Sequence, residues 1–340
     1  MKSKTTVSLG LDIGSYAVKC VEITQRGQSV ELHRVIILPV SDPSPETLRK
    51  ILKSLLEGFP IPPKNIRIAV SGPNVLTRRI SLPSMTPAEL KSAIRFEAER
   101  HIPFSIDDCV LDFQILNTSA DKKFMNVMLV AAKRDLILQR VKLLEDLGLY
   151  PRIIDVDIFC LINAFQMLSA DDMDRKTVGI LNIGHRVSSF AIVQDSQPFF
   201  VRDVPLGGIG VTKALMESTG TTESAADELK IQKSPESAEM LKEASQKGFE
   251  PLAEELHHSI DYFENETGEE LKTIWMSGGG ALSLGAAEIF SEELGKNVSL
   301  WDNTKKMEVL GQLDAQYLSQ NSPLLNVALG MVLRGAGKSK

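Results

Sequence analysis

An aspartate, a glycine, a serine and a lysine stand close together near the start of the chain: Asp12, Gly14, Ser15 and Lys19. They sit in V-S-L-G-L-D-I-G-S-Y-A-V-K-C-V-E, residues 7–22, where two apolar β-type runs flank a small polar turn, the pattern of a tight hairpin. A glycine and a hydroxyl at such a tip let backbone N–H groups cradle a phosphate. Asp12 can hold a hydrated Mg²⁺, and Lys19 supplies a point charge for phosphate oxygens. An ordinary hairpin with a turn aspartate would carry the same residues. Recurrence separates the two readings: Leu11-Asp12-Ile13-Gly14 returns as Leu181-Asn182-Ile183-Gly184, 170 residues on in a chain of 340, again followed by a β-type run.

Two such tips meet only if the chain folds into two similar lobes facing one cleft. After the first hairpin, residues 30–40 read as a third strand, and Ser44-Pro45 opens a helix with Leu48, Ile51, Leu52, Leu55, Leu56 and Phe59 on one face. Gly58 and the prolines at 60, 62 and 63 stop it, and residues 66–71 form a buried strand. Thr86-Pro87-Ala88-Glu89 is a capping box opening a helix to about His101. Strands over 109–116 and 124–132 follow, then a helix with Leu136, Ile137, Val141, Leu144 and Leu147 at helical spacing. The reading is a first lobe over 1–82 and 156–176, a small inserted α+β subdomain over 83–155, and a second lobe over 177–340. An apolar helix over 157–168 and an acidic run, Asp171-Asp172-Met173-Asp174, join the lobes. In the second lobe, strand 199–204 leads to Gly207-Gly208-Ile209-Gly210, and a helical part spans about 211–270, including 225–231 and a helix over 251–263. Strand 271–276 runs into Ser277-Gly278-Gly279-Gly280-Ala281, a last apolar helix covers 323–334, and 335–340 reads as a frayed tail.

The composition is that of an ordinary globular protein, 43% hydrophobic and 24% charged, with ample material for a core. A net charge of −6 argues against a nucleic-acid-binding surface. Cys20, Cys109 and Cys160 lie in apolar contexts without CxxC spacing, which suits buried thiols of a reducing compartment. No signal peptide precedes Val7 and no apolar run approaches the ~18 residues of a membrane span. A cytoplasmic location is expected, with attachment to a membrane only through a partner.

Two phosphate-type hairpins, two linker helices and a glycine-rich turn after a strand, in that order, resemble the actin-like ATPase superfamily, which also holds DnaK-type chaperones, sugar kinases, MreB and FtsA. The resemblance implies an α/β, ribonuclease H-like, duplicated two-lobe fold with the inserted subdomain placed as in FtsA. It implies ATP as ligand, held by Gly14, Ser15, Tyr16 and Lys19 in the first motif and by Asn182, Gly184 and His185 in the second. Gly207 and Gly208 join that set, as do Gly278, Gly279 and Gly280, whose bare backbone lets purine and ribose lie close. Asp227 and Lys230, in A-D-E-L-K, match the A-E-x-x-K helix that touches adenosine in MreB and FtsA. Mg²⁺ falls to Asp12 and Asn182, and catalysis to Asp12 and Asp157. Asp157 aligns with the group that orients the attacking water; a helix N-terminal acid favoured by the dipole is the other reading. The second hairpin usually carries aspartate where this chain has Asn182. An amide attracts Mg²⁺ less and accepts no proton, so binding is expected with weak or absent hydrolysis.

Within the superfamily the chain is similar to the PilM family of the type IV pilus inner-membrane platform. The carrying stretches are LGLDIGSYAVKCVEI, RFEAERHIPF, VRDVPLGGIGVTKAL, HHSIDYFENETG and IWMSGGGALSLG. This implies an ATP-binding scaffold that binds the cytoplasmic N-terminal peptide of the membrane protein PilN and other platform proteins, with self-assembly left open. The docking groove would lie in or beside the inserted subdomain, with Arg95, Glu99, Phe104 and strand 109–116 as contacts. The rival within the fold is an FtsA-like filament-forming cytoskeletal protein, which carries a C-terminal amphipathic helix beyond the last connecting helix; none is read here. A metabolite kinase would need polar substrate groups between the lobes, and the related secretion platform protein a transmembrane segment.

Three look-alikes carry less. Gly335-Ala-Gly-Lys-Ser has Val332 where a phosphate loop needs its first glycine, and Gly208-Ile-Gly-Val-Thr-Lys lacks the third glycine of a dinucleotide fingerprint. His257-His258 reads as a helix surface pair, while His185 either touches phosphate or faces solvent.

Overall fold

The computed structural model describes residues 5–26, 29–59, 65–119, 121–169, 177–232, 234–310 and 313–334. The prolines at 60, 62 and 63, the acidic run 171–174 and the tail 335–340 with its phosphate-loop look-alike lie outside them.

Strands β1 (Thr5–Ile13), β2 (Ala17–Arg26) and β3 (Ser29–Pro39) form an antiparallel meander. Helix α1 (Pro45–Leu56) crosses over, and β4 (Ile66–Val70) returns parallel beside β1. Next come β5 (Val75–Pro83), α2 (Pro87–Ala98), β6 (Cys109–Thr118) and β7 (Phe124–Lys133), then α3 (Arg134–Glu145), β8 (Pro151–Val156) and α4 (Asp157–Leu168). The second half repeats the plan with β9 (Thr177–Ile183), β10 (Ser188–Gln194) and β11 (Gln197–Val204). It continues through α5 (Ile209–Thr219), α6 (Glu223–Gln232), α7 (Ala238–Thr267), β12 (Thr273–Ser277), α8 (Ala286–Leu294), β13 (Asn297–Leu300), β14 (Glu308–Val309) and α9 (Ala315–Leu333).

Sheet order shows the duplication directly. The first lobe runs β3-β2-β1-β4-β8 and the second β11-β10-β9-β12-β13, with β14 added as a sixth strand on the β3 edge of the first. This is the duplicated two-lobe α/β arrangement that the resemblance to the actin-like ATPases leads one to expect. Local signals behave as their chemistry requires: the Ser44 hydroxyl caps α1, and Thr86 and Glu89 close a reciprocal capping box on α2.

The third sheet, β5-β7-β6, is the inserted unit. Its first strand begins at Val75, ahead of the expected start at 83, in a stretch where adjacent Arg78 and Arg79 hide the strand alternation. The expected end at 155 also shifts. β8 pairs with β4 in the first-lobe sheet, and Leu143 and Leu144 of α3 share a core with Leu48, Leu52 and Leu55 of α1. Thus α3 is the crossover helix between parallel strands of the first lobe, and the inserted sheet closes at Lys133. Two helices also begin earlier than the sequence suggests, because Pro251 lies inside α7 and Pro323 inside α9 rather than at their starts.

Helices α4 and α9 cross between the lobes within one large core. A Cβ on Gly330 would lie 1.7 Å from the Cys160 carbonyl oxygen, so the two backbones touch there and only glycine fits. All three cysteines are free and buried. Among the described residues, no helix is long and apolar enough to cross a membrane.

Candidate functional site

Each hairpin tip is closed by the same backbone bond. The Gly14 N–H donates to Ala17 O at 3.2 Å, and the Gly184 N–H donates to Val187 O at 3.0 Å. A Cβ on Gly14 would approach Ala17 O to 2.9 Å, and one on Gly184 would approach Val187 O to 2.5 Å, so a side chain pries either tip open. In the first hairpin Asp12 and Lys19 are directly opposite in register, and Lys19 Nζ lies 2.9 Å from Asp12 Oδ2. In the second, Asn182 is opposite Ser189. The rings of Tyr16 and His185 lie 5.0 Å apart, linking the two tips across the cleft.

The glycines after β11 shape the second tip. Gly208 N–H donates to Gly184 O at 2.9 Å and Ile209 N–H to His185 O at 2.8 Å. A Cβ on Gly207 would lie 2.6 Å from Gly184 O, so Gly207 supports the tip from outside the cavity wall. The turn after β12 closes the other side. Gly278 has φ +89°, and a Cβ there would lie 2.3 Å from Ile183 O and 2.8 Å from Asn182 Oδ1. Lys230 Nζ donates to Gly208 O at 3.2 Å, to Thr212 Oγ1 at 2.8 Å and to Asp227 Oδ1 at 3.2 Å. Asp227 therefore stands behind Lys230 as its counterion. Burial pulls the Lys230 pKa down and Asp227 opposes that; burial likewise lowers that of His185.

Between these parts lies one cavity of about 530 Å³, lined by Asp12, Gly14, Ser15, Tyr16, Lys19, Asp157, Asn182, Gly184, His185, Gly208, Lys230 and Gly278–Gly280. Of the residues read from sequence for this site, Gly207 and Asp227 alone stay out of the wall. The volume is that of a small-ligand site. Two opposed hairpin tips with Lys19 suit a chain of phosphates, and the bare glycine wall with Lys230 suits a flat base. Among the described residues there is no group of three or more His, Cys, Asp or Glu side chains built to hold a metal. Mg²⁺ usually keeps several waters and takes one or two carboxylates plus substrate phosphates, and Asp12 and Asn182, both in the wall of this cavity, fit that donor set.

An acidic floor completes the site. Asp157 opens α4, and its Oδ2 accepts from Ser71 Oγ at 2.6 Å. Burial, then the nearby charge of Asp12, push its pKa up to about 7, against the Ser71 bond. Asp203 on β11 accepts from the Gly72 N–H of the first lobe at 2.7 Å and from the Ser189 hydroxyl, with burial raising its pKa. Sequence reasoning left out Ser71, Asp203, Ser189 and the α3 residues Leu136 and Arg140; all but Asp203 line the cavity. Asp203 had one signal, its place in the stretch VRDVPLGG just ahead of the Gly207-Gly208 turn.

The residues expected to meet a partner lie on the inserted unit. Arg95 and Glu99 are exposed on α2 and at its end, and Arg95 pairs with Asp107. Phe104 is half-buried, with Lys133 Nζ 4.7 Å from its ring centre. Strand β6 is an edge of its sheet, pairing with β7 alone among the described strands. His257 Nε2 lies 2.7 Å from Glu293 O on the surface of α7, while His258 lines a second cavity of about 460 Å³ beside β5 and β11.

Comparison with known proteins bears on both regions. The family described as type IV pilus assembly protein PilM matches residues 10–336. Among solved structures the chain is similar to the PilM-PilN type IV pilus biogenesis complex, with 27% identity over 98% of this chain and 99% of that one, at a TM-score of 0.86. It also shares its fold with the ethanolamine utilization protein EutJ from Carboxydothermus hydrogenoformans, at 12% identity over 98% and 92% of the two chains and a TM-score of 0.57.

Proposed function

This chain belongs to the type IV pilus assembly PilM family, and from that premise we propose that it is an ATP-binding scaffold of the pilus platform that docks the N-terminal peptide of a PilN-like membrane protein. One observation carries the nucleotide half: two glycine-closed tips and the Gly278–Gly280 turn face a single cavity. In this reading the phosphates lie between the tips, with Lys19 as point charge. Asp12 and Asn182 would hold a hydrated Mg²⁺, which would offset the charge of the phosphates. The base lies against the glycine wall beside Lys230. Hydrolysis is slow or undetectable, because Asn182 supplies no second negative charge for the metal. Asp157, with a pKa near neutrality, has the proton affinity of a general base but already accepts from Ser71.

The partner half rests on family membership and on likeness to a protein solved together with PilN. An extended peptide can add to the open edge of β6, taking main-chain bonds there and charge contacts from Arg95 and Glu99. Such docking holds at a membrane a protein whose described helices do not cross one.

Titration of the full chain with ATP and Mg²⁺ should raise the melting temperature, since a ligand bound to the folded state alone adds RT ln(1 + [L]/Kd). No shift at millimolar ATP would remove the nucleotide reading. A labelled PilN N-terminal peptide should bind the same protein, and Arg95→Glu with Glu99→Lys should weaken it without altering the ATP response. Unchanged peptide affinity in that double variant would move the docking site elsewhere.

A further inference from the structure

The inserted unit hangs from the first lobe by two connections, and both touch the cavity. The first is Ser71–Gly72, between β4 and β5: Ser71 lines the wall, and the Gly72 N–H is held by Asp203 of the second lobe at 2.7 Å. The second has no loop at all. Lys133, the last residue of β7, is the N-cap of α3, and one helical turn of α3 presents Leu136 and Arg140 to the cavity.

Arg140 differs from the other buried cations of this wall. Lys19 is committed to Asp12 at 2.9 Å and Lys230 to Asp227 at 3.2 Å. Arg140 is half-buried in the field of Asp157 and Asp12, yet makes no hydrogen bond or ion pair with any described residue. A guanidinium drawn out of water without a direct carboxylate is costly, and its planar fork matches a phosphate. Its charged neighbours also fix which end of a ligand it faces. Asp157 and Asp12 act on Arg140, whereas Asp227, behind the base-side Lys230, does not.

We propose that Arg140 contacts the terminal phosphate of a bound nucleoside triphosphate and thereby ties α3, and the inserted unit continuous with it, to the presence of that phosphate. This rests on the nucleotide reading above. The other role open to Arg140 is to balance Asp12 and Asp157, which would serve a diphosphate and a triphosphate alike.

Calorimetric titration of the full chain with ATP and with ADP, each with Mg²⁺, separates the two roles. Arg140→Gln should weaken ATP on the order of tenfold, the loss of a charge-assisted phosphate contact, and ADP less than about twofold. Arg140→Lys, which keeps the charge but loses the fork, should fall between. Equal losses for ATP and ADP, or no loss, would overturn the assignment. Melting curves without nucleotide check folding; if Arg140→Gln melts early, the ATP-to-ADP ratio is read on Arg140→Lys, where an unchanged ratio counts against the proposal. Wild-type protein that binds neither nucleotide would remove the underlying reading and this inference with it. Binding of both with an unmoved ratio in the variants would remove the inference alone.

Discussion

Hairpin β1–β2 sets Asp12 opposite Lys19 in an ion pair of 2.9 Å, whereas hairpin β9–β10 sets Asn182 opposite Ser189 at the same register. The backbone is the same in both, down to the glycine N–H that closes each tip. The side chains have parted. In the first hairpin they form a charged pair that lines the cavity. In the second the serine donates to Asp203, whose carboxylate accepts from the Gly72 N–H of the opposite lobe. Closure of a tip depends on the absence of a Cβ, so it persists under any charge pattern. On the proposed nucleotide reading, the duplicated frame leaves one copy for the ligand's charge and the other for holding the lobes together.

The most direct way to break this contrast is to remove each polar residue in turn. Asp12→Ala should weaken binding of ATP with Mg²⁺ about 100-fold, or ~2.7 kcal/mol, against about threefold for Asn182→Ala. Equal losses in calorimetric titration would show that both tips carry the metal. Giving the second copy the missing charge sharpens the contrast: Asn182→Asp should raise the apparent Mg²⁺ affinity, measured with ATP bound, by about tenfold. An unaltered magnesium dependence would place Asn182 away from the ion.

A pH series tests the acidic floor between the hairpins. The folded pKa of Asp157, about 7, lies above its ordinary value of 3.8, so the native state holds more protons than the unfolded chain between the two. Its contribution to stability is full below the lower value and is lost as pH rises through the upper one. Asp203 and Asp155, also raised by burial, act in the same direction. The melting temperature of the wild type should therefore fall by several degrees more than that of Asp157→Asn between pH 5 and pH 8. Parallel profiles would show that Asp157 stays ionised. The smallest effect concerns the tips themselves. A double-mutant cycle of Tyr16→Ala and His185→Ala should return a coupling of about 1 kcal/mol for the ring contact. A coupling near zero would show that the tips do not hold each other.

The parts of this site that lie within one hairpin or one turn were legible in the sequence. Gly14 and Lys19 could be read from a tight turn between alternating strands, Asn182 from the repeat of that pattern, and Gly278–Gly280 from the resemblance to the superfamily's adenosine turn. Asp203, Ser71 and Arg140 were not, because each reaches the site through folding of distant segments. Asp203 meets Gly72 only because the two lobes pack together, and Arg140 enters the field of Asp157 only because α3 crosses back over the first sheet. The limits of the inserted unit failed for a related reason. Adjacent Arg78 and Arg79 break the alternation of β5, and α3 looks the same in sequence whether it packs on the insertion or on the first lobe. Pro251 and Pro323 were read as helix starts, a sound local rule that tertiary packing overrides in α7 and α9.

Helix α9 and strand β14 also set a schedule. Val21, Ile23 and Leu32 of the first lobe are covered by Leu325, Ala328 and Val332, and the Arg67 guanidinium binds the carbonyls of Met331 and Val332 at 2.8 and 3.0 Å. The sixth strand of that first sheet is Glu308–Val309. On a ribosome, the half that is made first therefore waits for the half that is made last. Its apolar face stays open to chaperones until residues 308–333 have emerged, and a stop codon placed ahead of Ala315 would leave neither lobe with a finished interior.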